Sequence, residues 1–362
     1  MKKILISDLR GLALVTATFM TLTIGADAQD WASYTGKQLS AYQLSGDTER
    51  SIASIASARD TFLKSLNRDQ QAKTLMPALD GEWRKWSNLP PRPDYAGVLI
   101  KDLSPDQIHA FLDLMAASTS ASGFIKMRDI ILSDDKLVNP NSPRNSTMLM
   151  GSDYYFICLF GKPSDSEVWG WQLDGHHLGL NVIIQEGQLS IAPSFIGTQP
   201  ANFNYGSRKG IQPMMVEGSL PYKIAASLTD DQRQKLVVGP RTQGLEAGPG
   251  ADQAVVQAKG LPIKEMNADQ KKMVLQLAGA WISILPEPWA SHESNALEKS
   301  LNEAHIAWKG ETGAGSPMYY QILAPGFFAE FCHQNLGGDP MNHLHSVYRK
   351  PGQDYLGAAI GQ

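Results

Sequence analysis

The stretch from residue 154 to residue 197 most constrains the fold, because β-branched and aromatic residues fill it and only short turn-like sequences interrupt it. It runs "YYFICLFG", then "VWGWQLDGHHLGLNVIIQ", then "LSIAPSFIG", with "KPSDSE" and "EGQ" at the two turns. Strands joined by short turns pair in the antiparallel sense. We therefore predict three consecutive antiparallel strands at the centre of a sheet.

Four short sequences mark the starts of helices. Each begins with Asn, Ser or Thr and has Gln three residues later: "NRDQ" at 67–70, "SPDQ" at 104–107, "TDDQ" at 229–232 and "NADQ" at 267–270. In this capping box the first side chain and the Gln side chain bond reciprocally to exposed backbone N–H groups. The Asp before each Gln also interacts favourably with the positive end of the helix dipole.

The order of the segments predicts the fold class. Helical sequence covers about 47–137, strand sequence about 152–225, helical sequence about 220–304 and strand sequence about 317–349. This order favours an α+β fold with a central, mostly antiparallel sheet that the last strands join and that helices flank. We expect residues 29–362 to form a single large domain.

The first 28 residues predict an export signal. A basic start, "MKK", precedes the apolar stretch "GLALVTATFMTLTIG", and the small-residue sequence "ADA" ends at residue 28. The apolar stretch is shorter than the about 20 residues that a membrane span needs. We therefore expect residues 1–28 to be removed as a signal peptide and the protein to be periplasmic or extracellular.

Composition narrows the range of partners. The formal net charge is −4, and no basic cluster is present, so a nucleic acid partner is not expected. No segment after residue 28 is long and apolar enough to span a membrane. A small-molecule substrate or ligand is the remaining class of partner. Cys158 and Cys332 are compatible with one disulfide or with two buried thiols, and the sequence leaves both open.

The last predicted strand carries two histidines. Because side chains alternate between the faces of a strand, His343, His345, Val347 and Arg349 should share one face. Two histidines at i and i+2 bring their rings close enough to bind one ion, an arrangement common in zinc and copper sites. His343 and His345 are therefore predicted metal ligands.

The sequence "GHH" in the central segment offers a third ligand. In a regular strand His176 and His177 point to opposite faces, and His177 shares the more polar face with Asn181. We predict that His177 completes the site, which requires its strand and the last strand to be neighbours. His176 is expected in the core unless Gly175 introduces a bulge. His176 and Asn181 are kept as possible additional site residues.

Five further residues have candidate roles. Glu330 lies between phenylalanines, where burying a carboxylate is costly unless it is paired or bound. It is a candidate ligand or general base, or the partner of Arg349, and we consider both residues catalytic candidates. His305 is a possible additional ligand or a structural residue. Trp169 and Trp171 are candidates for stacking on a sugar or another flat ligand, or for packing in the core.

These residues favour an exported metalloprotein that is a metal-dependent enzyme. Bound Zn²⁺ lowers the pKa of water to about 7, which permits hydrolysis, whereas copper in the same imidazoles would support oxidation. Hydrolysis is favoured, because no thioether or cysteine ligand pattern accompanies the histidines. Two metal-free alternatives stay open: a periplasmic protein that binds a small molecule or sugar or acts as a scaffold, and an acid–base enzyme with a His–Glu pair.

Several stretches together resemble a known family. They are "NRDQQAK", "PRPDYAGVLIKDLSPDQ", "YYFICLFGKPSDSEVWGWQLDGHHLGLNV", "HIAWKG", "YYQILAPGFF" and "NHLHSVYR". Their order resembles that of a bacterial domain-of-unknown-function family, largely of exported proteins, with GHHL and NHxHSVxR signatures. The resemblance spans about residues 48–350. It implies one continuous domain and points to the same histidine motifs, and it implies no particular reaction.

Overall fold

Strands from the middle and the end of the chain pair in one 13-stranded sheet, flanked by helices that pack on it. The computed structural model describes residues 33–90, 95–138, 149–242, 244–252, 257–336 and 338–361. The predicted α+β class and the mostly antiparallel central sheet are confirmed. The predicted signal peptide lies outside the described residues.

The described residues form nine α-helices and fifteen β-strands. The helices are α1 (Tyr34–Ala41), α2 (Ile52–Ser65), α3 (Arg68–Thr74), α4 (Pro105–Ser118), α5 (Ala121–Asp134), α6 (Met215–Ser227), α7 (Asp230–Leu236), α8 (Ala268–Ile282) and α9 (Trp289–Ser300). The strands are β1 (Leu75–Met76), β2 (Val98–Leu99), β3 (Phe156–Phe160), β4 (Trp169–Asp174), β5 (Leu178–Gln185), β6 (Gln188–Ser190), β7 (Ser194–Thr198), β8 (Phe203–Tyr205), β9 (Arg208–Ile211), β10 (Val237–Gly239), β11 (Leu261–Pro262), β12 (His305–Lys309), β13 (Tyr319–Ala324), β14 (Phe327–His333) and β15 (Leu344–Arg349).

The large sheet has the strand order β1-β3-β4-β5-β7-β15-β14-β13-β12-β10, with β2, β6 and β11 paired to β3, β5 and β12. The pairs β1–β3 and β10–β12 are parallel, and the other described pairs are antiparallel. The last strands therefore join the central sheet, as predicted. Strands β8 and β9 form a separate hairpin.

The stretch predicted as one strand, residues 168–185, folds as a hairpin. Gly175, His176 and His177 form the turn between β4 and β5, so the predicted alternation of the two histidines across a strand is wrong. Gly175 lies against the ring of Tyr155, where an added Cβ would come within 2.4 Å of ring carbons. The chain can turn there because glycine has no side chain, and apolar patterning does not separate a long strand from a tight hairpin.

The sheet is arranged symmetrically about the antiparallel pair β7–β15. From one edge inwards the strands are β1-β3-β4-β5-β7, from the other they are β10-β12-β13-β14-β15, and both series follow the order of the chain. The helices repeat in the same way: β1 and β2 lie between α2–α3 and α4–α5 along the chain, and β10 and β11 lie between α6–α7 and α8–α9. We call residues 52–198 the first half and residues 215–349 the second half. The molecule is therefore built from two halves of like topology.

The sequence carries the same repeat. "GVLIKDLSPDQ" at 97–107 matches "GLPIKEMNADQ" at 260–270. Gly97 and Gly260 have φ of +100° and +85°, and an added Cβ would lie 2.7 Å and 2.2 Å from a carbonyl oxygen of the neighbouring strand. Both positions therefore need glycine for the same two reasons, positive φ and close backbone contact.

The four predicted capping boxes all form, and each half links its two boxes. In the first half the amides of Gln70 and Gln107 bond each other at 2.8 and 3.2 Å. In the second half Gln232 and Gln270 do the same, both at 3.2 Å. Each Gln therefore caps its own helix and also joins it to the other linked helix start of its half.

The two faces of the sheet differ in character. One face is apolar and packs against the helices in the main core. Cross-strand pairing places seven buried polar side chains of the described strands on the other face: Gln172, Asp174, Asn181, Gln321, Glu330, His345 and Arg349. Loops cover this polar face, and their residues Trp86 and Leu245 pack on Phe195 and Val347. The polar face is where the sheet carries groups capable of chemistry.

Cys158 and Cys332 are buried and unbridged, so the structure contains two free thiols rather than a disulfide. Among the described helices, none combines the length and the apolar character that crossing a membrane requires.

Candidate metal centre

Three imidazoles from distant parts of the chain meet at one end of the polar face. His177 lies in the β4–β5 turn, and His343 and His345 lie at the start of β15. The Nε2 atom of His343 is 3.1 Å from Nε2 of His177 and 3.0 Å from Nε2 of His345. The three side chains are buried. These residues converge as the sequence predicted, while their role as ligands stays a prediction.

The route by which they meet differs from the expected one. β5 and β15 are not neighbours, because β7 lies between them. The rings meet across Gly197 of β7, where an added Cβ would lie 2.8 Å from Cδ2 of His177 and 3.1 Å from Cδ2 of His345. The Gly197 N–H also donates to the carbonyl of His177 at 2.7 Å, which fixes the turn on β7. The histidine rings can therefore come together only because residue 197 has no side chain.

Hydrogen bonds decide which nitrogen carries the proton in two of the rings. Nδ1 of His177 is 2.5 Å from Oδ1 of Asp134, and Nδ1 of His343 is 2.6 Å from the carbonyl oxygen of Leu336. A carboxylate and a carbonyl only accept, so both Nδ1 atoms carry the hydrogen. A neutral imidazole has one N–H, and both Nε2 atoms therefore present lone pairs to the centre.

Burial keeps the rings neutral. It lowers the pKa of His177 to about 4, against the raising influence of Asp134. Burial also lowers the pKa of His343, and it lowers that of His345 well below the usual value. Burial alone would raise the pKa of Asp134, but the adjacent His177 and His176 hold it below its ordinary value. At neutral pH the centre thus has neutral imidazoles beside an ionised carboxylate.

The three imidazoles form a group of side chains that could hold a metal ion. Two nitrogens bound tetrahedrally to zinc at about 2.05 Å are about 3.3 Å apart. The observed Nε2–Nε2 distances of 3.0 and 3.1 Å are close to that value. Nδ1 of His345 has no hydrogen-bond partner among the described residues. The three Nε2 atoms can hold one ion with small side-chain shifts.

Asp134 and its neighbours form a second group of potential ligands. Its Oδ1 atom is 2.5 Å from Nδ1 of His177 and 3.5 Å from Nδ1 of His176. A metal at about 2.0–2.2 Å from both atoms would hold the first pair farther apart than 2.5 Å. A proton fits between them. Asp134 is therefore the outer carboxylate that orients His177, the usual partner of a metal-bound histidine.

Glu330 and Arg349 are placed on a loop rather than at the centre. Glu330 accepts hydrogen bonds from two backbone N–H groups of the loop 244–252, each at 2.7 Å. Arg349 donates to two carbonyls of the same loop, at 2.7 and 3.0 Å, and forms ion pairs with Asp252 and Asp354. These contacts hold the loop on the sheet, and the catalytic role of Glu330 and Arg349 stays a prediction.

The remaining predicted residues lie outside the centre. Asn181 accepts a hydrogen bond from Gln172 and donates to a backbone carbonyl, each at 2.7 Å. His305 lies on β12, three strands away from β15. Trp169 and Trp171 are fully buried on the helix-facing side, where the Trp171 indole N–H donates to a serine hydroxyl of α4. Their burial leaves no free ring face for stacking on a ligand.

His176 is in a different position from the expected one. Its ring lies on the ring of His177 with 3.9 Å between centroids, instead of in the apolar core on the far side of a strand. The physical reason is the turn, which carries both side chains to the same side. His176 therefore belongs to the surroundings of the centre through Asp134.

Sequence reasoning missed Asp134, Tyr155 and Gly197. One signal was present for Asp134, because "DD" at 134–135 ends α5. Acidic residues at a helix C-terminus face the negative end of the dipole, and two buried ones there require specific partners. Gly197 and Tyr155 gave no comparable signal, since their roles depend on contacts with distant residues.

A family model described as "Protein of unknown function (DUF3500)" matches residues 48–357. Neither a curated protein nor a solved structure matches the chain.

Proposed function

The chain belongs to the DUF3500 family, whose function is unknown, and from its histidine centre we propose that it is a zinc-dependent enzyme. The proposed ligands are the Nε2 atoms of His177, His343 and His345, which lie within reach of one ion. The proposed reaction is hydrolysis of a small molecule. The fourth coordination position is left for water or substrate, as in catalytic zinc sites with three protein ligands.

One observation carries the proposal. Nε2 of His177 and Nε2 of His343 are 3.1 Å apart, and the partners of their Nδ1 atoms leave no hydrogen to lie between them. Two lone pairs at that distance repel each other in a buried environment, where water does not screen them. A cation bound by both nitrogens removes the repulsion. A metal-free binding protein offers no such explanation for this contact.

The donor set narrows the choice of metal. Mg²⁺ and Ca²⁺ prefer oxygen ligands, and Cu⁺ prefers sulfur, whereas imidazole suits Zn²⁺ and Cu²⁺. Three histidines with an open position are typical of catalytic zinc, whereas structural zinc sites have four protein ligands. We therefore favour zinc hydrolysis, with copper oxidation in the same imidazoles as the second candidate.

The side chains around the centre have defined roles in this proposal. When bound, Zn²⁺ at such a site lowers the pKa of its water to about 7. Asp134 and the Leu336 carbonyl hold the Nδ1 protons of His177 and His343 and so keep both Nε2 atoms free to bind. Phe195 packs edge-on against His345, with 5.0 Å between ring centroids, and shields that ligand from water.

The first test is the metal content of protein purified without a histidine tag, measured by elemental mass spectrometry. We expect about one zinc per chain, and loss of nearly all of it in His343→Ala and His345→Ala, because two remaining imidazoles hold zinc weakly. The matched control is His333→Ala. His333 is equally buried but bonds the Met318 backbone instead of the centre. Wild-type protein that takes up no metal would contradict the proposal.

Hydrolysis is tested separately with a panel of ester, amide and phosphoester substrates. Turnover should be abolished by a chelator, restored by Zn²⁺ and absent from His345→Ala. Recovery of Cu²⁺ instead, with its electron paramagnetic resonance signal, would replace hydrolysis by oxidation.

We also propose that the protein is exported, which rests on the sequence of residues 1–28 alone. N-terminal sequencing of the protein from its native host should begin at Gln29, and a chain that keeps residues 1–28 in the cytoplasm would contradict export.

A further inference from the structure

The carboxylate of Asp134 lies beside two imidazoles that can compete for it. Its Oδ1 atom is 2.5 Å from Nδ1 of His177 and 3.5 Å from Nδ1 of His176. The two rings are in contact and tilted by 36° to each other, with 3.9 Å between centroids. Nδ1 of His176 is buried and has no hydrogen-bond partner among the described residues. One carboxylate oxygen of Asp134 thus faces two imidazole Nδ1 atoms that can donate to it, and it lies closer to that of His177 than to that of His176.

The other oxygen of the carboxylate explains the division. Oδ2 of Asp134 accepts a hydrogen bond from the hydroxyl of Tyr155 at 2.7 Å. Tyr155 is fully buried, and its ring lies under Gly175, at the start of the turn that carries both histidines. The tyrosine therefore contacts both the carboxylate and the turn. It fixes the rotation of the carboxylate relative to the two rings.

We propose that Tyr155 is a positioning residue that selects His177, and not His176, as the partner of Asp134 and hence as the metal ligand. The inference rests on the proposed function. With Oδ2 held, Oδ1 points to His177. Without the Tyr155 hydroxyl, the carboxylate can rotate about its Cβ–Cγ bond and share its oxygens between the two Nδ1 atoms.

The consequence for the metal follows from the chemistry of outer ligands. A carboxylate that accepts the Nδ1 proton fixes the tautomer and ring orientation of a ligating histidine and raises the basicity of Nε2. Loss of such a partner weakens metal binding by about 10- to 100-fold. Tyr155 acts one step further out, through Asp134, so we expect its effect at the lower end of that range.

The experiment compares Tyr155→Phe with Tyr319→Phe by competition against a chromogenic zinc chelator. Both variants remove a buried hydroxyl that donates to a carboxylate, since Tyr319 donates to Glu330 at 2.9 Å. We expect about 10-fold weaker zinc binding in Tyr155→Phe and no more than a two-fold change in Tyr319→Phe. The visible spectrum of the Co²⁺-substituted protein should change only in Tyr155→Phe.

A double variant distinguishes the selection of His177 by Tyr155 from a general loss of packing around Tyr155. In Tyr155→Phe/His176→Ala the competing imidazole is gone, so zinc affinity should return to within about three-fold of wild type, well inside the outer-ligand range. If the double variant binds zinc as weakly as Tyr155→Phe, the selection is wrong, and so it is if Tyr155→Phe binds like wild type. Wild-type protein that binds no zinc would overturn the proposed function itself, which is a different outcome.

Discussion

The two halves of the molecule have the same topology and make different contributions to the centre. The first half provides His177, Asp134 and Tyr155, and the second half provides His343 and His345. Neither half alone holds all three imidazoles of the centre. The centre therefore lies where the halves meet, beside the β7–β15 pair.

The positions that build the centre are those at which the halves differ. Traced through the cross-strand pairs from the matching glycines Gly97 and Gly260, the register equates His177 of the β4–β5 turn with Gly326 of the β13–β14 turn. The β4–β5 turn has three residues, "GHH", whereas the β13–β14 turn has two, "PG". Helix α5 ends at Asp134, and its counterpart α9 ends at Ser300. The repeated elements carry the scaffold, and the departures from the repeat carry the chemistry.

A substitution at the junction of the two halves should have the largest effect on stability and on zinc binding. In Gly197→Ala the new Cβ would lie 2.8 Å from Cδ2 of His177, 2.9 Å from the Leu344 carbonyl oxygen and 3.1 Å from Cδ2 of His345. We expect a loss of about 1–3 kcal/mol in the free energy of unfolding, together with loss of zinc binding. Denaturant unfolding and metal analysis measure the two effects.

The control for this change is Gly279→Ala in α8, where an added Cβ has no atom within 4 Å. Alanine in a helix is favoured over glycine by up to about 1 kcal/mol, so this variant should be as stable as wild type or more so. If the Gly197→Ala and Gly279→Ala variants were equally stable, a side chain would fit at the junction, and the prediction would be wrong.

The dependence of stability on pH tests one strand position at which the two halves differ. Traced through the cross-strand pairs from the matching glycines Gly97 and Gly260, the sheet register equates His333 of the second half with Ile184 of the first. Burial lowers the pKa of His333 to about 4, below the about 6.5 of an exposed histidine. Between these values the unfolded chain binds more protons, so this contribution to stability is present above about pH 6.5 and is lost as the pH falls toward 4.

His333→Leu should therefore flatten the dependence of stability on pH between about 6.5 and 4, by at most about 1.4 kcal/mol per pH unit. It should also lower stability at neutral pH, because the Met318 N–H loses its acceptor. Urea unfolding at several pH values gives the slope, and a slope equal to that of wild type would show that His333 is not the titrating group.

The linked capping boxes allow a comparison of equivalent glutamines in the two halves, with the smallest expected effects. Gln232 is 9% exposed, and Gln70 is more exposed. Each bonds its own helix start and the Gln of the next. We expect Gln232→Ala to cost about 1–2 kcal/mol and Gln70→Ala about 0.5–1 kcal/mol, because unpaired partners are more costly when buried. Thermal or urea unfolding gives both values, and a larger cost at Gln70 would contradict this ranking.

The features predicted correctly from the sequence depend on neighbouring residues. The four helix starts follow from side chains three residues apart, and His343 and His345 share a direction because they are two residues apart in an extended segment. The turn at "GHH" was missed because a hairpin inside an apolar run has the same pattern as a long strand. The repeat of 97–107 at 260–270 is visible in the sequence and becomes evident once the strand order is known.

The α+β class, the helix starts and the three histidines that converge are predictable from the sequence, because each follows from local spacing and alternation. The way in which the histidines converge depends on contacts between distant segments of the folded chain. Asp134, Tyr155 and Gly197 act through contacts with residues 43, 21 and 20 positions or more away, as for the Asp134–His177 and Asp134–Tyr155 bonds. The tertiary structure also provides the loop partners of Glu330 and Arg349, because a buried charge takes whichever partners the fold brings to it.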